Sequence, residues 1–304
     1  MSGGLGRLVL TARDRSAIRK LFTQTAAGRS LSLRFVAGET LDQAVSAARE
    51  LNAIGAQVSL DHLGEHVAEP AAAVTARDDY LACLDRIGSE GLDANISVKL
   101  TQLGLGFDSF LALQSLTTLA ERALSVGTTV SVDMEESVHT DAAIAAYEKV
   151  QGDSGNVGIA LQAYLYRTRA DLDRLIRYGG HIRLCKGAYA ELPEIAFVKK
   201  SDVDRNFDAL TRVLMRSPEV MPAIATHDEE RIALARRLGA MRGRPWEFQM
   251  LYGIRTKLQR ELISSDYPLR VYVPYGSAWY PYLTRRLAER PANLAFFLRA
   301  AVRR

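Results

Sequence analysis

Four polar side chains near the C-terminal end share the spacing of one helical face. They are Tyr282, Arg285, Arg286 and Glu289, at positions i, i+3, i+4 and i+7 of a segment predicted as a helix from about Tyr280. Adjacent arginines present two planar forks that suit a carboxylate or a phosphate. The pattern therefore favours a clamp for a small anion, and the alternative is a solvated surface that carries an Arg285–Glu289 pair.

The segment before this helix, residues 270–276, alternates β-branched and aromatic residues and stops at Pro-x-Gly, which predicts a short strand that enters a turn. Strand, turn and the pattern Tyr-x-x-Arg-Arg-x-x-Glu resemble the C-terminal signature of the flavin-dependent proline dehydrogenases, including the interval from Tyr272 to Arg285. The resemblance implies that Arg285 and Arg286 bind the carboxylate of proline. It also implies that Tyr272 packs beside the substrate ring and that Glu289 contributes to the cofactor site.

The composition limits the class of protein. With 304 residues and 48% hydrophobic content, the chain can bury a large core, as one barrel-like domain or as two smaller ones. The 39 basic and 35 acidic residues leave a net charge of only +4, so no nucleic-acid partner is expected. Cys83 and Cys185 have no paired cysteine or histidine nearby, which argues against a disulfide framework or a zinc site and favours a reducing intracellular setting.

Membrane and targeting signals are weak in this sequence. No apolar run approaches the ~18 residues of a membrane span, and the N-terminus lacks the apolar block of a secretory signal. The basic stretch 7–20 leaves an organellar presequence as a minor alternative, although the stretch is poor in serine and contains Asp14.

Residues 1–30 are predicted as a helical arm outside the main fold, and residues 31–304 as one barrel domain. From Leu31 onward, short β-like runs alternate with helical segments, which is typical of parallel βαβ construction. The predicted strands cover residues 31–36, 57–61, 95–100, 129–134, 157–162, 181–186, 221–226 and 247–251. The helical patterns cover residues 40–51, 77–87, 110–123, 140–149, 169–177, 202–215 and 229–238. Eight such units over about 270 residues favour an α/β fold, a (βα)8 TIM-type barrel, over a doubly wound sheet.

Chemistry in a TIM barrel lies where the strands end and the following loops begin. Nearly every predicted strand changes there from apolar to ionisable or amide residues, which include Asp61, Lys99, Asp133, Gln162, Lys186, His227 and Gln249. A sheet buried only for stability would not need this concentration of charge, because each unpaired buried charge costs several kcal/mol. The pattern predicts a polar active site at the barrel mouth.

Lys99 and Asp133 lie near the C-terminal ends of two of the predicted strands, and the residues alone leave their roles open. The ammonium of Lys99 either points into the barrel or snorkels to solvent. Asp61, Glu65, Asp133 and Glu135 could supply ligands to magnesium or manganese, but salt bridges to converging lysine and arginine side chains explain these acids more simply. By resemblance, Lys99 contacts the substrate carboxylate and the flavin edge, and Asp133 pairs with the cationic groups that hold the substrate.

Gln162 and Arg183 lie on predicted strands, where a satisfied core amide and a barrel-lining ion pair are the alternatives to a binding role. Both segments resemble flavin-contacting strands of the proline dehydrogenases, in which the arginine reaches the flavin N5 region and the glutamine the pyrimidine edge. The residues implied for FAD are Met134, Gln162, Arg183, Lys186, Gly187, Ala188, Ser201, Thr226, His227, Gln249 and Glu289. No G-x-G-x-x-G follows the first strand, so a Rossmann nicotinamide site is disfavoured.

The resemblance extends from about Phe35 to Arg299 and implies an activity. It implies FAD-dependent oxidation of L-proline to 1-pyrroline-5-carboxylate, by hydride transfer from proline C5 to flavin N5. The residues implied at the reacting centre are Asp133, Arg183 and Tyr272, and those implied to bind the substrate are Lys99, Tyr189, Leu251, Tyr272, Arg285 and Arg286.

The same resemblance implies partners and a location. Electrons would pass to a quinone, which implies a cytoplasmic protein in transient peripheral contact with the inner face of the cell membrane. A pyrroline-5-carboxylate dehydrogenase could act on the product. The alternatives are a metal-dependent or Schiff-base barrel lyase that uses Lys99 and Asp133, and a non-catalytic protein that binds a small carboxylate.

Overall fold

The computed structural model describes residues 33–65, 67–280 and 282 of the chain. Its strands are β1 (Gln57–His62), β2 (Ala94–Val98), β3 (Val130–Val132), β4 (Val157–Gln162), β5 (Gly180–Cys185), β6 (Val220–Ala225), β7 (Glu247–Leu251) and β8 (Leu269–Tyr275). Its α-helices are α1 (Leu41–Ala53), α2 (Pro70–Glu90), α3 (Ser109–Ser125), α4 (Thr140–Ser154), α5 (Thr168–Leu175), α6 (Lys200–Arg216), α7 (Glu229–Gly239) and α8 (Thr256–Ser264). The strands are parallel and close into a barrel in chain order, so the predicted (βα)8 fold is confirmed.

The predicted strand at residues 31–36 is wrong where the structure describes it, because residues 33–36 form a turn and a bend. The eighth strand is instead β8, which pairs with β7 on one side and with β1 on the other. Its register places Tyr272 beside Ser59 and closes the barrel, so no strand edge is left for residues 33–36. Lys99 therefore follows the second strand rather than the third, and His227 follows the sixth rather than the seventh. The predicted arm, residues 1–30, lies outside the described residues.

Residues 33–38 cross the end of the barrel beside β8. The amide of Ala37 donates to the carbonyl of Pro274 at 2.9 Å, and the amide of Gly276 donates to the carbonyl of Gly38 at 3.0 Å. Val36 is buried in a small apolar cluster with Leu63, Trp279 and Tyr282, against which Phe35 and Tyr280 pack. This segment thus lies against the start of the C-terminal helix.

Alternate positions along the strands have opposite character. One set, which includes Leu60, Val98, Leu184 and Phe248, is fully buried in the apolar core. The other set is polar and buried; it includes Ser59, Asp61, Asn95, Ser97, Arg183, Glu247, Gln249 and Arg270. Because side chains alternate between the two faces of a strand, the barrel interior is polar while the face toward the helices is apolar.

The sequence analysis did not predict α8, residues Thr256–Ser264. This helix has nine residues, and only Gln259 and Leu262 are buried. A helix this short and this polar gives little apolar periodicity to detect. Most of the remaining helices extend a few residues beyond the predicted ranges at one end or at both. α2 begins at Pro70 rather than at residue 77, whereas α5 ends at Leu175, before the predicted end at residue 177.

We expect Gly253→Ala to destabilise the fold strongly. Gly253 has φ +70°, and a Cβ there would collide with the carbonyl oxygen of Arg34, which would displace residues 33–38. Gly91→Ala is the matched control, because Gly91 has φ +61° but no atom within 4 Å of an added Cβ. The control should lose about 1–2 kcal/mol of unfolding free energy from backbone strain alone, and Gly253→Ala distinctly more. Urea denaturation measures both, and equal losses would contradict the close contact.

Candidate active site

A cavity of about 560 Å³ opens at the C-terminal ends of the barrel strands. Fourteen of the predicted site residues line it: Lys99, Asp133, Met134, Gln162, Arg183, Lys186, Gly187, Ala188, Tyr189, Thr226, His227, Gln249, Leu251 and Tyr272. This volume is in the usual range for small-molecule and cofactor sites. The position agrees with the rule that barrel enzymes place their chemistry at this end.

Asp133 directly follows β3 and collects donors from several strands. Its Oδ2 accepts a hydrogen bond from the Tyr272 hydroxyl at 2.6 Å, and its Oδ1 accepts one from the Ser97 hydroxyl at 2.7 Å. Arg183 forms an ion pair with the same Oδ1. Burial alone would raise the pKa of Asp133, but Arg183 and Lys99, with the hydrogen bonds from Tyr272 and Ser97, hold that pKa below its usual value. Asp133 is therefore a fixed anion rather than a proton acceptor at neutral pH.

Lys99 is buried rather than turned to solvent, so the snorkelling alternative is wrong. Its Nζ lies 2.8 Å from Asp61, 3.5 Å from Asp133 and 3.6 Å from Glu65. Burial alone would lower the pKa of the Lys99 ammonium, but Asp61, Asp133 and Glu65 hold it well above its usual value. A Schiff-base lysine needs a depressed pKa, so this environment removes the support for a lyase that uses Lys99 as an amine.

Tyr272 lies close to both buried cations. Its ring centroid is 5.9 Å from the Lys99 Nζ and 5.3 Å from the Arg183 guanidinium carbon, and its hydroxyl oxygen accepts from Lys99 at 3.2 Å. Burial, together with the charge of Asp133, raises the pKa of Tyr272 well above its usual value. The phenol therefore stays neutral, donates to Asp133 and offers a ring face to the cavity.

Arg183 reaches the cavity from β5, where its neighbours in register are Ala160 on β4 and Ala223 on β6. These small residues leave room for the guanidinium inside the barrel. Its Nε donates to the side-chain oxygen of Gln249 at 2.5 Å, and its Nη1 donates to Ser97 at 3.1 Å. The buried Nη2 has no hydrogen-bond partner among the described residues. A buried cationic donor on the cavity wall fits an electron-rich ligand.

The other end of the cavity is lined by Lys186, Gly187 and His227. Gly187 has φ +115°, and a Cβ there would collide with the ring of Tyr164, so this position requires glycine. The amide of Leu251 donates to Nε2 of His227 at 3.0 Å, which fixes the orientation of that ring. A glycine beside a lysine suits the close approach of a phosphate.

Lys186 belongs to a charged cluster with Asp204, Asp228, Lys200 and Arg231. Its Nζ pairs with Asp204 and lies 2.7 Å from Asp228. Lys200 lies 2.5 Å from Asp204, and Arg231 lies 3.5 Å from Asp228. Burial alone would raise the pKa of Asp228, but Lys186, Arg231 and Lys200 lower it to about 2. Arg231 also pairs with Asp208 at 3.0 Å and with Glu230 at 2.8 Å, so the cations of this cluster are balanced by carboxylates.

Some predicted residues are not brought to the cavity or cannot be placed. Ser201 lies exposed in the first turn of α6, with its hydroxyl 3.4 Å from Asp202, and does not line the cavity. Arg285, Arg286 and Glu289 lie outside the described residues. Tyr282, which opens their pattern, is described and lines the cavity.

The structure also adds residues that the sequence analysis did not assign to the site. Phe35, Glu65, Lys200 and Asp228 line the cavity as well. Glu65, which the sequence analysis considers only as a metal ligand, and Asp228 follow the ends of β1 and β6, where the strand-end rule places functional residues. Phe35 gave no such signal, because its segment was interpreted as a strand.

The acids that could have formed a metal site surround Lys99 instead. Within residues 33–65, 67–280 and 282, no three His, Cys, Asp or Glu side chains come together as a metal site. No helix in these ranges has the length and apolar character needed to cross a membrane.

Comparison with known proteins gives consistent matches. The proline dehydrogenase family matches residues 44–299 of the chain. Proline dehydrogenase 1 of Bacillus subtilis subsp. natto is 37% identical over 274 residues, which cover 89% of this chain and 90% of that protein. Proline dehydrogenase of Deinococcus radiodurans is 34% identical over 308 residues, which cover 98% and 97% of the two chains.

The fold recurs in a crystal structure of proline utilization A from Bdellovibrio bacteriovorus. The TM-score is 0.81 at 21% sequence identity, and the match covers 90% of this chain and 33% of that chain. At this identity the likeness shows the fold alone.

We expect Asp228→Asn to cost stability only above acidic pH. A pKa of about 2, depressed from an unfolded value near 3.8, gives stability that is present above about pH 4 and lost as pH falls through 2. Near neutral pH the variant should lose on the order of 2 kcal/mol, and near pH 2 almost nothing. Asparagine can still cap α7, where the Asp228 side chain accepts from the Glu230 amide.

The measurement is the urea unfolding free energy of wild type and variant between pH 2 and pH 6. Asp153→Asn is the control, because that carboxylate is 65% exposed in a surface pair with Lys149 and should change stability little at any pH. A pH-independent deficit in Asp228→Asn would refute the role assigned to its charge.

Proposed function

The chain belongs to the proline dehydrogenase family, and from that membership we propose that it oxidises L-proline to 1-pyrroline-5-carboxylate with FAD as its cofactor, the first step of proline catabolism. The observation that carries the proposal is the buried chain of Lys99, Tyr272, Asp133 and Arg183 on the cavity wall. It sets two fixed cations close to one aromatic ring, at 5.9 Å and 5.3 Å from the Tyr272 ring centroid. A cyclic amino acid with a carboxylate suits such a wall.

Lys99 and Tyr272 form the described part of the proposed substrate site, with Tyr189 and Leu251 as further walls. The Lys99 ammonium attracts the carboxylate of proline, and the Tyr272 ring packs against the pyrrolidine ring. Arg285 and Arg286 complete the clamp in this proposal. Two points support this assignment. Tyr282 lines the cavity, and on the predicted helix the residues three and four positions further along share the face of Tyr282. The fixed carboxylate orients proline C5 and lowers the entropic cost of reaction.

The rest of the cavity fits a flavin dinucleotide. The Nη2 of Arg183, which has no hydrogen-bond partner among the described residues, suits the electron-rich edge of an isoalloxazine, and a positive group there raises the electron affinity of a flavin. When bound, FAD supplies the acceptor N5 for the hydride from proline C5. The residues proposed to hold it are Met134, Gln162, Arg183 and Gln249 around the ring system, with Lys186, Gly187, Ala188, Ser201, Thr226, His227 and Glu289 along the remainder.

The proton on the substrate amine is not removed by this network. Asp133 is held as an anion with a depressed pKa, and Lys99 is held as a cation with a raised one. Neither group is poised to accept a proton near neutral pH, because efficient general bases have a pKa near the working pH. In this proposal, neither Asp133 nor Lys99 takes up the proton that the proline amine must lose before C5 can release hydride.

The acceptor of the electrons and the location belong to the same proposal. We propose a quinone as acceptor, reached by transient contact with the inner face of the cell membrane from the cytoplasm. A pyrroline-5-carboxylate dehydrogenase would consume the product. In the bifunctional protein PutA of Klebsiella aerogenes, which is 29% identical, the match covers 24% of the length of that protein.

We expect Arg285→Met and Arg286→Met each to raise the KM for proline by orders of magnitude. Each removes charge-assisted hydrogen bonds worth roughly 1.5–3 kcal/mol apiece to a carboxylate. FAD should largely remain bound. Arg205→Met is the control, because Arg205 is 80% exposed in a surface pair with Asp202. Steady-state kinetics with proline measure the effect, and an unchanged KM in both variants would show that the clamp lies elsewhere.

We expect Tyr272→Ser to narrow the preference for proline over hydroxyproline, because the ring that crowds a 4-hydroxyl group is removed. Its efficiency with proline should fall by on the order of 1–3 kcal/mol in activation free energy. Tyr272→Phe is the matched control: it keeps the ring and loses only the hydroxyl that bonds Asp133 and Lys99. The measurement is the ratio of kcat/KM for proline to kcat/KM for hydroxyproline. The same ratio in Tyr272→Ser and Tyr272→Phe would mean that the ring does not select the substrate.

A further inference from the structure

We propose that Glu247 is a positioning residue for Arg183 and that it acts through Gln249. Glu247 accepts a hydrogen bond from the Gln249 amide nitrogen at 2.6 Å, and the Gln249 oxygen accepts one from the Arg183 Nε at 2.5 Å. The three side chains form one relay from the interior of the barrel to the cavity wall. The inference rests on the proposed function, because it assigns the relay a consequence for a bound flavin.

Glu247, at the start of the relay, is held in place by its own contacts. It is fully buried at the start of β7, and it accepts from the Arg270 Nε at 2.9 Å and lies 3.1 Å from the His181 Nε2. Burial alone would raise the pKa of Glu247, but Arg270 and His181 hold it far below its usual value. The carboxylate is thus ionised and is held by Arg270 on β8 and by His181 on β5.

The chemistry of the two ends permits only one orientation of the Gln249 amide. A carboxylate accepts hydrogen bonds and cannot donate them, whereas a guanidinium donates and cannot accept. The NH2 group of Gln249 must therefore face Glu247, and its oxygen must face Arg183. If the carboxylate were lost, the amide could turn over and present a donor to a donor. Glu247 thereby determines the hydrogen bond between Arg183 and Gln249, although it is not a partner in that bond.

That contact fixes the direction of the guanidinium. Arg183 is held through Nε by Gln249 and through Nη1 by Ser97 and Asp133. Because a guanidinium is planar, two contacts on different nitrogens leave the third nitrogen, Nη2, in one position. This nitrogen is buried without a hydrogen-bond partner in the described part of the chain. Loss of the Gln249 contact leaves one edge of the plane unrestrained.

The test breaks the relay at two points in the holoenzyme. Gln249→Met breaks it in the middle, and Glu247→Met combined with Arg270→Met removes its origin without leaving a buried arginine unpaired. His181→Asn is the control, because it removes a contact of Glu247 and leaves the relay intact. Each protein is compared for FAD content, thermal unfolding, kcat and KM for proline, and the midpoint potential of the bound flavin.

We expect both relay variants to lower the midpoint potential and to reduce kcat on the order of tenfold to a hundredfold, with KM within about twofold of wild type. A triple variant that combines Gln249→Met, Glu247→Met and Arg270→Met should show no further change in midpoint potential, because the substitutions interrupt the same relay. His181→Asn should lose thermal stability and keep the wild-type potential.

A wild-type potential and kcat in Gln249→Met would overturn the proposal, whether or not the Glu247→Met/Arg270→Met protein folds. Additive shifts in the triple variant would also overturn it, since they would mean that Gln249 acts independently of Glu247. Wild-type protein purified without flavin would instead refute the proposed function, and the two failures are therefore distinguishable.

Discussion

The ion pair between Arg183 and Asp133 inside the barrel is the interaction on which the rest of the site depends. Arg183 is buried and the Asp133 side chain is only 12% exposed, and each charge would cost several kcal/mol if it were left there unpaired. Lys99 and Tyr272 then attach to Asp133, and Gln249 attaches to Arg183. The cavity wall is thus one connected polar network, and the fixed charges that suit a substrate and a flavin come from the same contacts.

The barrel meets two requirements with the two faces of its strands. The apolar positions that face the helices, such as Leu60 and Phe248, supply the buried area that holds the fold together. The interior positions do not need to supply this apolar area, and they carry polar groups. Among these, Glu247 and Arg270 form an ion pair away from the cavity mouth. Removing one member of such a buried pair is costly, so the polar interior restricts which substitutions the barrel tolerates.

The sequence predicted the barrel and most cavity residues because both depend on local order along the chain. A residue at or just after the C-terminal end of a strand lies at the barrel mouth whatever its tertiary contacts are, which located Lys99, Asp133 and Gln162. The direction of Lys99 could not be predicted, because it depends on Asp61, 38 positions away. The contact between Arg183 and Gln249 spans 66 positions, and no periodicity reports it. The strand predicted at residues 31–36 was wrong for the same reason, because the pairing of β8 with β1 that closes the barrel joins segments far apart in the sequence.

Anaerobic mixing of the purified protein with L-proline tests the central claim most directly. The account predicts a yellow protein with a flavin spectrum, and loss of the flavin absorbance on addition of L-proline as C5 gives up its hydride. Formation of 1-pyrroline-5-carboxylate should match the amount of flavin reduced. A colourless protein, or a bound flavin that keeps its absorbance in the presence of L-proline, would contradict it.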